Sequence, residues 1–208
     1  MKKRKIVVTT GTRAEYGILR SILDEIKNSK KLELQLIVTG SHLSKKHGFT
    51  VNEIKKNGYK IDAKINMVPK INSEFESTKI LGNAIVSFSK IFRRLNPDMN
   101  LILGDRDEML ASAIAAYHMN IPNAHIHGGD KSGGLDEYTR HAITKLSNIH
   151  FAATKKSAKR IRQMGEKFGF IFHTGSPSID EILKNKITKK AELEKKYKIK
   201  ITGNEILL

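Results

Sequence analysis

Asn100-Leu-Ile-Leu-Gly104-Asp-Arg-Asp-Glu108 is the stretch on which the fold turns. A short apolar run closed by glycine reads as a buried strand, because an apolar helix would run on for roughly ten residues or more. Glu108 to His118 follows as an alanine-rich helix, and Ile121 to Ile126 as a second strand. Strand, helix and strand in so few residues form the crossover unit of a parallel sheet. The second strand runs directly into His125-Ile-His-Gly-Gly-Asp130 and then Leu135-Asp-Glu-Tyr-Thr-Arg-His141. Glycines, imidazoles and carboxylates crowd a connection of the kind on which α/β proteins carry their chemistry.

The same alternation extends outward in both directions. Lys5 to Thr10 reads as a first buried strand, and Tyr16 to Ile26 as a helix with Ile18, Leu19, Ile22, Leu23 and Ile26 at helical spacing. Leu32 to Val38 reads as a strand, Ile54 falls in a helix, and Tyr59 to Ile65 alternates like a third strand. Met67 to Ser77 has no period and reads as a loop, and Ile80 to Leu95 is an amphipathic helix stopped by Pro97. Downstream, Asp136 to Leu146, Lys155 to Met164 and Ile179 to Leu183 read as helices. Ile149 to Ala153 and Ile171 to Thr174 read as strands. The predicted class is α/β, a Rossmann-like parallel sheet with helices on both faces.

Composition removes several functions. The 208 residues contain no cysteine, which excludes disulfides and thiolate metal sites and makes the cytoplasm the default compartment. No apolar run nears the ~20 residues of a membrane span. A net charge of +17 suggests nucleic acid, yet lysine outnumbers arginine 29 to 9 and aromatics are only 6%. Readers of phosphate and base edges favour arginine's planar fork, so the charge reads as solvated faces and no nucleic-acid partner is expected. Lysines are densest from Lys184 to Lys200, a linker with an exposed helix. Beyond it, Glu205-Ile-Leu-Leu208 opens like a strand with no continuation. The expected division is therefore a domain over 1–183, then a linker and the start of an absent second domain over 184–208.

Four strand-to-helix connections carry polar residues, and a parallel sheet opens all four on one edge. Gly11-Thr-Arg13 allows close backbone approach and a guanidinium fork for phosphate, although a tight turn with a solvated arginine has the same composition. Thr39-Gly-Ser-His42 places an imidazole at a turn, where histidine commonly caps or lies on the surface. In Gly104-Asp-Arg-Asp-Glu108, Asp105 suits either chemistry or capping, and Asp107 reads as the cap. His125 and His127 point to the same face of a strand, but no third nitrogen or sulfur ligand stands at a recognisable spacing, so no metal is expected. Asp136 and Glu137 read as a helix cap and its first-turn partner, with Arg140 able to reach Asp136 at i,i+4.

Together, Gly11-Thr-Arg-Ala-Glu-Tyr-Gly17, Leu103-Gly-Asp-Arg106, His125-Ile-His-Gly-Gly-Asp130 and Asp136-Glu-Tyr-Thr-Arg-His-Ala-Ile-Thr-Lys145 resemble the hydrolysing UDP-N-acetylglucosamine 2-epimerases of sialic-acid synthesis. Gly175-Ser-Pro177 stands where that family crosses to its second domain. The resemblance implies the N-terminal half of a glycosyltransferase-B architecture, with UDP-sugar in a cleft between two domains and no metal or nicotinamide cofactor. It implies elimination of UDP to a glycal, then addition of water with inversion at carbon 2. By position it makes Asp105, Asp130 and Asp136 the acid/base carboxylates and gives Arg13 to the diphosphate or the transition state. His42 and Arg106 become supporting groups, and His127 and Arg140 line the substrate. The family usually carries glutamate where Asp130 stands, and a displacement near 1 Å can cost ~10²-fold in rate.

The absent half leaves three readings of this polypeptide: an epimerase domain completed by a C-terminal half on another chain, a binding module, or a non-catalytic remnant. Self-association through the apolar face of the cleft is a further expectation.

Overall fold

The computed structural model describes residues 2–69, 71, 73–184 and 188–201. Its seven-stranded sheet contains β1 (Arg4–Thr10), β2 (Leu32–Thr39), β3 (Ala63–Ile65), β4 (Met99–Leu103), β5 (Asn123–Ile126), β6 (Ile149–Ala152) and β7 (Ile171–His173). They lie in the order β3-β2-β1-β4-β5-β6-β7, and every neighbouring pair is parallel. The helices are α1 (Arg13–Asn28), α2 (Val51–Lys56), α3 (Glu74–Leu95), α4 (Asp107–His118), α5 (Gly134–Lys145), α6 (Lys155–Gln163), α7 (Pro177–Lys184) and α8 (Lys190–Tyr197). The expected α/β alternation is therefore present, and α8 is the helix expected in the lysine-rich tail. The strand expected at Glu205–Leu208 lies outside the described residues.

Strand pleating sends successive side chains to opposite faces, and each face receives its own helices. Ile6, Val8, Leu36, Val38, Leu101 and Ile126 pack with Tyr16, Leu19 and Leu23 of α1 and with Val51 and Ile54 of α2. Val7, Ile37 and Ile65 pack on the other face with Ala84, Phe88 and Phe92 of α3 and Ala111, Ala115 and Ala116 of α4. Ile102 joins Met109, Ala113 and Ile143 there. Strands apolar on both faces, such as Val7-Val8 and Leu36-Ile37, are what a sheet covered on both sides requires.

A polar lattice fixes α4 over the middle of the sheet. Asn100 on β4 donates to Asn123 on β5 (2.9 Å) and to the Ser112 hydroxyl on α4 (3.0 Å). Asn123 in turn donates to the carbonyls of Ala113 (3.0 Å) and Leu146 (2.9 Å). All three side chains are buried, so these bonds remove what would otherwise be a desolvation cost.

Two elements start four residues or more away from the sequence expectation. Only Ala63–Ile65 of the expected Tyr59–Ile65 strand pairs with β2. Tyr59 is buried instead against Tyr16, rings edge to face at 6.2 Å, with its hydroxyl on Asp24. The expected loop Met67–Ser77 gives way to α3 at Glu74, because Ser73 accepts the Glu76 backbone N–H at 3.2 Å and caps it.

Strand order reverses at the centre: β2 and β3 lie to one side of β1, and β4 to β7 to the other. Connections leaving β1 and β4 diverge there and open a crevice at the carboxyl edge, where ligands bind in such sheets.

Candidate active site at the carboxyl edge of the sheet

The turn after β1 sets one end of the crevice. Thr12 caps α1 by accepting the Glu15 N–H at 3.3 Å. Arg13 starts the helix with its side chain 75% exposed and paired to Glu53 at 3.3 Å. Near the next turn, His42 is fully buried. Its Nε2 lies 3.1 Å from the Thr10 hydroxyl and its Nδ1 2.7 Å from the Thr50 hydroxyl. Burial holds its pKa below the usual imidazole range, so a neutral ring ties β1, the turn after β2 and the start of α2. His42 thus supports the crevice without facing it.

The turn after β4 provides the middle. Gly104 takes φ +81°, a conformation suited to glycine, and delivers Asp105 to the crevice. Arg106 forks onto Glu108 at 3.2 and 3.4 Å. Asp107 is the first residue of α4, whose N-cap position is Arg106 with no side-chain cap bond, so the expected Asp107 cap is not formed. Its carboxylate acts on the helix end by charge alone.

The turn after β5 is where the expectation changes most. His125 points inward, fully buried, with Nε2 on the Gly104 carbonyl (2.8 Å) and Nδ1 beside the Thr144 hydroxyl (3.1 Å). Burial pushes its pKa down to about 3 and keeps it neutral. His127 lies beyond the strand at φ +63°, with Nε2 3.0 Å from the Ser176 hydroxyl at the start of α7. The strand alternation that would put both imidazoles on one face is broken by that backbone, and the two rings are held by different partners. Among the described residues, no group of three or more His, Cys, Asp or Glu is arranged to hold a metal ion.

Asp130 accepts the Ser157 hydroxyl, and Arg160 donates to the Gly129 carbonyl, both across to α6. Neither Asp136 nor Glu137 is the N-cap of α5; that position is Gly133. Glu137 instead reaches back to accept the N–H groups of Ser132 (3.1 Å) and Gly133 (2.9 Å). Those bonds hold its carboxyl below the usual range. Arg140 does not pair with Asp136. It crosses to Asp105, and both side chains are mostly buried, at 12% and 17% exposure.

That ion pair organises the crevice. On one side, Asp105, Arg106 and Asp136 line a cavity of about 270 Å³ with an apolar wall of Met67, Ile80 and Leu81. On the other, Asp130 and Arg140 share an opening with Thr154, Lys156, Ser157 and Arg160. Five of the eight expected residues therefore gather around one pair. Arg13 lies at the neighbouring turn, His127 is tied to α7, and His42 is internal. The sequence reading missed Ser157 and Arg160, since Thr154-Lys-Lys-Ser157 reads only as a helix start. It also passed over the buried Glu15 and Glu108.

A parallel α/β domain with carboxylates converging at the carboxyl edge of its sheet is the class that fold and crevice define. A solved structure titled UDP-GlcNAc 2-epimerase from Neisseria meningitidis bound to UDP-GlcNAc superposes with a TM-score of 0.76 at 24% identity, over 86% of this chain and 48% of that one. The family model for UDP-N-acetylglucosamine 2-epimerase matches residues 24–208, and the chain belongs to that family. It is 45% identical over 195 residues to a hydrolysing UDP-N,N'-diacetylbacillosamine 2-epimerase of Legionella pneumophila, covering 93% of this chain and 52% of the relative. It is 40% identical over 202 residues to a hydrolysing GDP/UDP-N,N'-diacetylbacillosamine 2-epimerase of Campylobacter jejuni, covering 97% and 52%. The chain spans about half the length of the curated relatives it matches.

Proposed function

We propose that the chain is the sugar-side half of a hydrolysing epimerase acting on a UDP-linked 2-acetamido sugar. The observation that carries this is the Asp105–Arg140 pair, which draws the turns after β4 and β5 into one crevice with Asp136 and Asp130 on either side. Elimination breaks the carbon 1–oxygen bond to UDP and removes the proton at carbon 2. That proton is acidic only as positive charge develops at carbon 1. One carboxylate stabilises that charge while another takes the proton. Asp105, Asp130 and Asp136 supply three such groups. Arg140 holds Asp105 in place, Arg13 and the N-terminus of α1 answer the leaving phosphates, and water then adds to the glycal with inversion at carbon 2. His127 lines the crevice, and Arg106 and His42 steady its turns.

The names of the two bacillosamine relatives support a substrate with a second acetamido group as well as UDP-N-acetylglucosamine. Residues 1–183 form the domain, and 184–208 lead towards a second one that closes the cleft from its own chain or from a partner. Leu135 and Tyr138, exposed on α5 beside Asp136, are apolar surface for that partner or for a second copy. Among the described residues no helix is long and apolar enough to cross a membrane. The absence of cysteine supports a cytoplasmic setting.

The test incubates each UDP-sugar with this chain, alone and with a C-terminal half from a relative, and measures UDP and the released sugar. UDP release that depends on both halves supports the reading. Silence with both halves and both sugars overturns it.

A further inference from the structure

The crevice described above does not use the two carboxyl groups buried at its floor. Glu15 on α1 and Glu108 on α4 are 8% and 5% exposed, and both converge on Gly11 at the point where strand order reverses. The Gly11 N–H donates to Glu15 Oε1 at 3.3 Å. Glu108 Oε1 presses so closely that a methyl group on Gly11 would sit 3.0 Å from it, and one on Gly40 only 2.3 Å. Three connections, after β1, β2 and β4, thus meet at these two side chains.

The cations there do not suffice for two carboxylates. Arg106 forks onto Glu108, while Glu15 Oε2 is buried with no hydrogen-bond partner among the described residues. Ionising both acids would leave two negative charges against one positive, in a place where unpaired charge is costly. The other groups facing the pair add no further cation. They are the Thr10 hydroxyl and Gly11 N–H on the β1 side, Asp107 beside Arg106, and His42 behind Thr10, which burial keeps neutral.

We propose that Glu15, buried beside the Glu108 carboxyl, keeps its proton at neutral pH, and that a phosphate ligand at the Gly11–Arg13 turn binds only while that proton is kept. With one proton, the pair and Arg106 sum to no net charge beneath the turn. Without it, a full negative charge lies under the backbone donors that would receive the phosphates. Burial, reinforced by the charge of Glu108, raises the Glu15 pKa to about 8, which places loss of the proton just above neutrality. The pair is then a positioning device. It touches no reacting atom but sets the shape and charge of the turn. Its phosphate-binding half rests on the UDP-sugar reading, whereas its proton does not.

The experiment therefore has two arms, using wild type, Glu15→Gln and Glu108→Gln. The first is urea unfolding from about pH 6.5 to about pH 9, below the range where lysines titrate. Wild-type stability should fall across that window, Glu15→Gln should be flat, and Glu108→Gln should move the fall to lower pH. Equal falls in wild type and Glu15→Gln overturn the proton on Glu15. The second is calorimetric titration with UDP over the same range, above the phosphate's own titration near pH 6. Wild-type affinity should drop about tenfold, a difference of roughly 1.4 kcal/mol, with no comparable drop in Glu15→Gln. A pH-independent wild-type affinity overturns the linkage and leaves the stability arm to decide the pair. Absence of UDP binding by any variant at any pH overturns both the linkage and the assignment of phosphate to this turn.

Discussion

Asp105 and Arg140 stand 35 residues apart and meet with most of their surface removed from water. Each is the other's counter-charge, so losing one strands the second, and broken buried pairs are costly where surface pairs are not. Asp105→Asn keeps the shape but removes the charge. It should lower the urea-unfolding stability by on the order of 3 kcal/mol, and in the complemented enzyme slow UDP release by ~10³-fold. Arg140→Lys should retain part of the stability and little of the rate, because an ammonium lacks the planar fork. Rates unchanged in Asp105→Asn would remove that carboxylate from the chemistry. The identity of these two residues was legible in the sequence, but their partnership was not. An i,i+4 pair to Asp136 follows from helix geometry alone, whereas the bond to Asp105 exists only once β4 and β5 lie side by side.

Elements carry the site through their ends. The turn after β5 lies so close to α6 that a Cβ on Gly129, at φ +71°, would stand 2.5 Å from the Ser157 carbonyl and 2.6 Å from Ile161 Cγ1. Gly129→Ala should therefore destabilise by about 2 kcal/mol or more and displace Asp130 from the Ser157 hydroxyl. Urea unfolding checks the first effect and loss of UDP release in the complemented enzyme the second. A fully stable Gly129→Ala would show that the two elements pack less tightly than described. Strand and helix alternation made most elements readable, since periodicity is a local property. Tyr59 illustrates the limit, because its apolar alternation serves an aromatic contact with Tyr16 and only three residues go on to pair with β2. The early start of α3 was present in the sequence as Ser73 followed by Glu76, a cap pattern overshadowed by the aperiodic loop before it.

For the whole molecule, the buried titratable groups predict a stability maximum between two pH limbs. His125 has a folded pKa of about 3, and His42, His127 and His150 are also held below the imidazole range by burial. The unfolded chain binds more protons at these sites in acid, so stability should fall as pH drops from about 6.5 towards 3. Glu15 has the opposite sign. Its folded pKa of about 8 exceeds the unfolded value near 4.5, so its contribution is lost as pH rises through 8. The two effects oppose one another between about 4.5 and 6.5, and above that window the glutamate acts alone. Chemical unfolding at intervals across the range should trace the dome, and a flat profile would show that these side chains are not buried as described.

The reversed strand order also sets a schedule for folding. β1 is flanked by β2, which follows it closely, and by β4, whose arrival bridges 93 residues between Lys5 and Asp98. Until then one edge of β1 has no partner, and Val7 and Val8, apolar on both faces, have only part of their cover. Closing so long a loop before its contacts reward it is slow, and an open apolar edge invites pairing with another chain. A nascent chain released before β4 would be aggregation-prone, and the crevice, built from both sides of that seam, could form only after β4 is in place.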